Sequence, residues 1–273
     1  MMCRFPVYSA DPKIKAQGIR QRWDPVARRL VDCPAPNPPP PISPISTWHP
    51  VLGTTFPSFG SFVATDGNGT CVSIGSTLLR SVDFGATWQS TACPSFQVGY
   101  CVATDRRGVW VAVAYGGPTI LRSVDNGATW GLVLSDGFSY AGRYVATDGA
   151  GNWVAVGGIS PGGPVILVSN DNGVSWNPTE SGIFPPIPGI GVSGHMVATN
   201  GHIWVIVGDG GILTSTDTLL WTARSTSMAY GYSVSYSNGV WIAIGDQSGF
   251  TSIILKSTDG STWVATSGSV FTY

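Results

Sequence analysis

Glutamate is almost missing from this chain: Glu180 is the only one among 273 residues, so nearly all of the 15 acidic groups are aspartates. Lysine is nearly as scarce, with three. No apolar run approaches membrane-spanning length, and the first 20 residues are charged and lack the apolar centre of a secretory leader, so a soluble product made in the cytosol is expected. The five cysteines, Cys3, Cys33, Cys71, Cys93 and Cys101, are an odd number with neither a CxxC pair nor zinc-like spacing. They read as free thiols, with a Cys93–Cys101 bridge as the alternative; Cys71 and Cys101 fall at strand positions suited to a small buried hydrophobe. The three histidines, His49, His195 and His202, are too few and too scattered for a metal site or a triad and read as polar loop residues. No cofactor is expected.

What is abundant is turn chemistry. The 36 glycines and 20 prolines, with Val, Ile, Thr and aromatics between them, describe many short strands joined by tight turns, and little helix. Most aspartates fall at turn positions. The signature Ser-x-Asp-x-Gly-x-Thr-Trp organises them: Ser81, Asp83, Gly85, Trp88; Ser123, Asp125, Gly127, Trp130; and Ser169, Asp171, Gly173, Trp176. Two copies shortened by one residue follow, Ser215, Asp217, Trp221 and Ser257, Asp259, Trp263. Successive tryptophans are 42 to 46 residues apart, a period that means a propeller, a solenoid or an array.

Each period reads as four strands. The first is Phe62–Asp66 and its counterparts at Tyr100–Asp105, Tyr144–Asp148, Met196–Asn200 and Ser233–Ser237. Asp66-Gly67, Asp148-Gly149, Asn200-Gly201 and Asn238-Gly239 then signal hairpins, because these residues tolerate positive φ. The second strand, Trp-Val-Ala-Val or a close variant, is apolar throughout and predicts burial on both faces. The third runs into the signature, and the fourth starts at its Trp. A four-stranded antiparallel unit that must stack on its neighbours is a propeller blade, so the fold is expected to be an all-β propeller of five complete blades over 47–273. Ser46-Thr-Trp48 looks like a lone fourth strand and Ser269–Tyr273 like a lone first strand, which leaves a partial sixth blade or exchange between subunits open.

Residues 1–33 differ. Arg4, Lys13, Lys15, Arg20, Arg22, Arg28 and Arg29 against Asp11, Asp24 and Asp32 make them basic, although the whole chain carries −1. One or two helical turns around Pro25–Leu30 are the most structure expected of this arm. Arg4, Arg20, Arg22, Trp23, Arg28 and Arg29 are its candidate docking residues. Residues 34–46, rich in proline, form an extended spacer.

The signature resembles the Asp-box, or bacterial neuraminidase repeat, found in propellers of sialidases, other glycosidases, sortilin-like receptors and many phage proteins; the resemblance covers residues 60–266. It implies that Ser and Asp bond backbone amides within the turn, that Gly supplies a left-handed conformation, and that Trp packs between blades. A short carboxylate two residues before glycine is a local turn cap by its own chemistry. Sialidase activity would further imply an Arg-Ile-Pro element, three substrate-gripping arginines and a Tyr–Glu pair. Here Arg80 and Arg122 occupy equivalent repeat positions, Arg-Ile-Pro is missing, and Glu180 sits in a proline-rich stretch. Asp171-Asn172-Gly173 resembles part of a calcium loop but lacks its terminal Glu.

Strand order places the first-to-second and third-to-fourth turns at one uniform end. The other end receives the variable connections, and Phe96, Phe138, Tyr140, Phe184, Tyr230 and Tyr232 are its candidate ligand-contacting residues. Asp136, Asp209 and Asp246 are the non-repeat aspartates to test for a glycosidase pair. The integrated expectation is a non-enzymatic propeller displayed by its arm on a larger assembly, a phage virion decoration, fibre or tail component, with a capsid, portal or tail protein as partner. The alternative is a carbohydrate-binding or glycoside-hydrolysing propeller. A homo-oligomer is open. Nucleic acid is disfavoured by the near-neutral charge and by an arm with one aromatic pair, Phe5 and Trp23.

Overall fold

The structure is a computed structural model that describes residues 21–24, 29–32 and 55–273, apart from 118, 134–136, 159–164, 180–192, 225, 249–250 and 267–273. Two compact units divide the chain, Met1–Pro50 and Val51–Tyr273. In the first, β1 (Gln21–Asp24) pairs antiparallel with β2 (Arg29–Asp32), matching Arg22 with Val31 and Trp23 with Leu30. The helical turns expected near Pro25–Leu30 are thus corrected to a hairpin: Trp23, Leu30 and Val31 favour the pleat, and Pro25 lacks the amide a helix interior needs. Arg22, Trp23 and Arg29 lie on this ladder, while Arg4, Arg20, Arg28, the proline spacer and Ser46–Trp48 fall outside the described residues.

The second unit is a row of five four-stranded blades. Blade one comprises β3 (Gly60–Thr65), β4 (Cys71–Gly75), β5 (Leu78–Ser81) and β6 (Gln89–Ser90); blade two β7 (Val98–Thr104), β8 (Trp110–Tyr115), β9 (Ile120–Ser123) and β10 (Gly131–Leu132). Blade three holds β11 (Ala141–Thr147), β12 (Trp153–Gly158), β13 (Ile166–Ser169) and β14 (Asn177–Pro178); blade four β15 (Gly194–Thr199), β16 (Trp204–Gly208), β17 (Gly211–Ser215) and β18 (Thr222–Arg224). Blade five ends the row with β19 (Tyr230–Ser237), β20 (Val240–Asp246), β21 (Ser252–Ser257) and β22 (Val264–Ala265). Every blade is an antiparallel meander, and the lone-first-strand reading of Ser269–Tyr273 lies outside the described residues. No described helix is long and apolar enough to cross a membrane.

The apolar second strands lie at the centre of the packing, as their sequence requires. Trp110 to Val113 and Trp153 to Val156 are all fully buried, one set of side chains facing the preceding blade and the other the following one. Four clusters result, each joining two consecutive blades: Val72, Ile74 and Leu78 of blade one meet Val102, Trp110, Leu121 and Trp130 of blade two, and the same positions repeat down the row. Each such side chain, fully withdrawn from water, contributes about 1.5–3 kcal/mol before the entropy of ordering is charged against it. The signature tryptophans Trp130, Trp176, Trp221 and Trp263 cover these clusters, and each buried indole N–H donates to the carbonyl three residues back.

Cys71, Cys93 and Cys101 are free, so the Cys93–Cys101 alternative is not realised. Cys101 is completely buried, and its desolvation pushes the thiol up to about 12. It is a core residue rather than a nucleophile.

Candidate functional site

The two ends of the blades differ as strand order demands. At the uniform end each signature turn closes on itself. The Ser81 hydroxyl donates to Asp83 Oδ1 at 2.7 Å and accepts from the Gly85 amide at 2.9 Å, while Thr87 donates both its amide and its hydroxyl to Asp83. Asp125 and Asp171 repeat this arrangement. In the shortened copies the Ser oxygen accepts from the amide three residues on, Thr218 or Gly260, instead of four. The left-handed region is entered by two successive residues in the longer turns, Phe84–Gly85, Asn126–Gly127 and Asn172–Gly173, not by glycine alone. Asn126 shows why: its carbonyl accepts from Arg80 Nε at 2.8 Å and its side chain accepts from the Trp110 indole at 2.9 Å. Arg122 reaches Asn172 in the same way, so Arg80 ties blade one to blade two and Arg122 ties blade two to blade three.

The hairpins require a correction. In Asp66-Gly67 and Asp148-Gly149 the aspartate does not take positive φ; its carboxylate caps the loop, accepting from the amides two and four residues on, and Gly67 or Gly149 turns the chain. A five-residue loop of this kind needs an Asx cap, whereas Asn238-Gly239, with both residues left-handed, is the tight two-residue turn.

These hydrogen bonds hold the carboxylates ionised. The Thr87 and Ser81 hydroxyls bring Asp83 down to about 2. For Asp125 and Asp171, partial burial works upward, but the bonds from Thr129 and Ser175 outweigh it and leave both at about 2. Backbone amides lower Asp217 and Asp259 as well. A folded-state value below the unfolded one stabilises the protein above the unfolded value of about 3.9, and that stability is lost as pH falls toward the folded value. Urea midpoints are therefore expected to be flat above pH about 5 and to drop steeply between pH about 4 and about 2. Replacing Asp83, Asp125 and Asp171 together by Asn should flatten that drop; an unchanged slope would contradict it.

At the variable end the five first strands share one irregularity. Each carries a β-bulge at its start, between Gly60 and Phe62, Gly99 and Cys101, Gly142 and Tyr144, Gly194 and Met196, and Gly231 and Ser233. The glycine lets the strand press onto the blade before it: a Cβ at Gly142, Gly194 or Gly231 would lie within 2.6–2.7 Å of Val113, Val156 or Val207. The extra residue is left unpaired and re-aimed. These residues are Ser61, Tyr100, Arg143, His195 and Tyr232, one per blade and no two alike except the tyrosines.

A second series stands at the ends of the second strands. Tyr115 pairs with Ala141, which also pairs with Gly158; Gly158 bridges Ser193; the Asp209 amide donates to the Ser193 carbonyl; Asp209 bridges Tyr230; and Tyr230 pairs with Asp246. This continuous ladder runs from blade two to blade five and sets Asp209 and Asp246 on either side of Tyr230, with α-carbons about 10 Å apart through two strand pairings. The two series interlock within blades. His195 Nε2 lies 3.4 Å from Asp209 Oδ1, and its Nδ1 is 2.9 Å from the Gly231 carbonyl, a pure acceptor, so that nitrogen carries a proton. The Tyr232 hydroxyl donates to Asp246 at 2.7 Å, and the His195 and Tyr232 rings are parallel with centroids 6.4 Å apart. On the opposite side Tyr115 packs against Tyr140 at 4.8 Å, which raises the Tyr115 hydroxyl through their hydrogen bond.

This rim therefore carries aromatic faces at Tyr100, Tyr140 and Tyr232, which are 38%, 50% and 48% exposed, and an exposed cation at Arg143, while the carboxylates of Asp209 and Asp246 are buried and held by their neighbours. It can recognise a ligand by stacking and polar contacts. Of the residues expected on this face, Tyr140, Tyr230 and Tyr232 belong to the rim. Phe138 is instead buried in the cluster between blades two and three, because Gly142 and Gly157 leave space that its phenyl ring fills, and Phe96 is half-buried against the cluster between blades one and two. Phe184, Glu180, Asp136 and His49 fall outside the described residues. His195 is corrected from a loop residue to a bulge residue. Tyr100, Tyr115 and Arg143 were not singled out from sequence, yet for Tyr100 and Arg143 the signal is there: a glycine and one variable residue precede each first-strand motif.

No protein-family model and no curated relative matches the chain by sequence. Solved structures match it by fold. The Niastella koreensis GH74 enzyme superposes with a TM-score of 0.60 over 90% of this chain at 19% identity, and the GH74 xyloglucanase from Xanthomonas campestris with 0.53 over 76% at 19%. The chain spans about a third of those proteins, 35% and 32% of their lengths. YCF48 bound to D1 peptide superposes with 0.52 at 15% identity, covering 78% of this chain and 68% of that one. With the blade topology already described, these likenesses identify the fold of residues 55–266 as a β-propeller.

Proposed function

We propose that this chain is a non-enzymatic interaction propeller, displayed through its N-terminal arm on a larger assembly of the virion decoration, fibre or tail kind, and that the bulge-built rim is its recognition surface. The rim is the observation that carries the reading. The same bulge recurs on five nearly uniform blades, while the side chain it presents changes from Ser61 to Tyr100, Arg143, His195 and Tyr232. A repeated scaffold that varies at one aimed position is the arrangement of a binding face. The separation of Met1–Pro50 as its own unit, basic and proline-rich, supports an attachment role for the arm, toward a capsid, portal or tail protein. A similarly folded protein, YCF48, is bound to a peptide, which supports protein recognition.

Deleting residues 1–46 is expected to abolish incorporation into the parent particle while the propeller stays folded. Tyr140→Ala with Tyr232→Ala should leave incorporation intact and remove the particle's attachment to its target. Unchanged incorporation of the deleted chain would defeat the display reading.

A carbohydrate reading has its own observation, the pair Asp209 and Asp246 flanking Tyr230, together with the GH74 enzymes among the fold neighbours. Calorimetry with xyloglucan oligosaccharides, and a reducing-end assay for turnover, separate the two. Binding lost in Tyr232→Ala favours a lectin, and turnover lost in Asp246→Asn favours a hydrolase.

A further inference from the structure

The first strands of all five blades line one cavity of about 380 Å³ on the propeller axis. It is a cup rather than a channel. Phe62 of blade one meets Tyr144 of blade three edge to face, with ring centroids 5.4 Å apart, and these two rings floor the cavity together with Met196. None of the rim residues Tyr100, Arg143, His195 and Tyr232 lines it, so it opens at the uniform end, opposite the rim. The space exists because the repeat places a small residue at one register of the wall, Ala64, Ala103, Ala146 and Ala198, where a larger side chain would enter it. From Phe62 to Thr65 the wall is about 10 Å deep at roughly 3.3 Å per strand residue.

Most polar groups at the mouth are already committed. The hydroxyls of Thr104, Thr147 and Thr199 donate to the carbonyls of Val109, Asn152 and Ile203 and accept from the amides two residues on. Asp66, Asp105 and Asp148, in the same loops, each spend a carboxylate oxygen on two backbone amides. Arg106 is different. It is the one charged residue lining the cup, and among the described residues its guanidinium has neither a hydrogen bond nor an ion pair. It also holds a left-handed backbone, φ 61°, at the loop position that Gly67, Gly149 and Gly201 fill in blades one, three and four. A long cationic side chain thus stands, against its backbone preference, where the repeat otherwise uses glycine. At the floor the Tyr144 hydroxyl has no hydrogen-bond partner among the described residues, and burial pushes its phenol well up, so it stays a neutral donor.

We infer that this cup is a second binding site, for a small carboxylate with an aromatic body that enters from the uniform end, seats its ring against Phe62, Tyr144 and Met196, and places its carboxylate on Arg106 at the mouth. The polarity of the cup sets the class of ligand: aromatic edges and a thioether at the closed end favour a ring, and a guanidinium at the open end pairs with a planar carboxylate. The size agrees, since small-molecule sites enclose about 300–1,000 Å³. The ring floor stops a chain from threading through. The site shares no residue with the rim and does not depend on the reading of the rim as a recognition surface.

The test is titration calorimetry of the full chain with 3-phenylpropionate, and with 3-phenylpropanamide as the uncharged match. The wild type is expected to bind the acid about tenfold or more tighter than the amide, because only the acid makes a charge-assisted pair with Arg106. Arg106→Gly gives blade two the residue that three other blades carry, so it should keep the circular dichroism spectrum and lose the preference for the acid. Ala146→Phe and Ala64→Leu, each filling the wall from a different blade, should abolish binding of both compounds in folded protein. No binding of the acid to the wild type, equal affinity for acid and amide, a preference that survives in Arg106→Gly, or binding that persists in a folded wall variant would each overturn the inference.

Discussion

Trp153→Ala is expected to destabilise the propeller by about 3–5 kcal/mol, read as a fall in the urea midpoint. Trp153 is fully buried between blades two and three, packed with Val111, Val113, Ile120 and Trp176, and its indole donates to Asn172 Oδ1 at 3.1 Å. Truncation removes the largest apolar contact of that interface, opens a cavity, and leaves the Asn172 side chain without its donor in a turn that also receives Arg122. The contrast is inside the same molecule. Cys71 holds the equivalent register on blade one, opposite Thr65 as Trp153 is opposite Thr147, but is only partly buried. Cys71→Ala should therefore cost about 1 kcal/mol or less. A Trp153 variant as mild as the Cys71 one would mean that the blade interfaces relax freely, against the close packing seen in all four.

Gly245→Ala should be as severe by a different route. A Cβ at Gly245 would overlap the Tyr230 carbonyl oxygen and lie 3.0 Å from the Gly231 Cα. The obstruction is backbone, so no rotamer change relieves it, and Gly245 is held on both sides by pairing to Gly231 and Ile253. The cost is placed at the upper end of the roughly 1–3 kcal/mol typical of overpacked sites, or beyond it. The strain falls on the bulge that aims Tyr232, so ligand binding at the rim should drop further than stability alone accounts for. Gly157→Ala, where the obstruction is the Ala141 carbonyl, should be equally unstable without touching Tyr232. Comparable binding losses in the two variants, measured on the folded fraction, would show that the rim does not depend on the Tyr232 bulge.

How far the fold was legible follows from what repeats. The signature, the apolar second strand and the turn residues recur five times, and each states a local physical demand: a carboxylate that caps its own turn, a strand buried on both faces, a residue that accepts positive φ. Repetition turned those local demands into a blade and a blade count. The hairpin at Gln21–Asp32 had no such help, because a single four-residue strand pair carries too little pattern to outweigh a short helical reading. The rim was only half legible. Asp209 and Asp246 stood out as aspartates outside the repeat, and Tyr230 and Tyr232 as loop aromatics, but nothing in their spacing says that they meet. His195 and Asp209 are 3.4 Å apart because a bulge on one strand faces the end of its neighbour, a relation created by register between strands.

The sequence by itself determined the all-β architecture, the period, the antiparallel meander and the uniform and variable ends, since these depend on interactions within about four residues and on alternation along a strand. The tertiary structure alone decided which tryptophans are core and which is half-exposed, which loop aromatics turn inward, and which side chains form the rim. Those outcomes depend on whether a neighbouring blade is present and on where the strands that it places side by side begin and end.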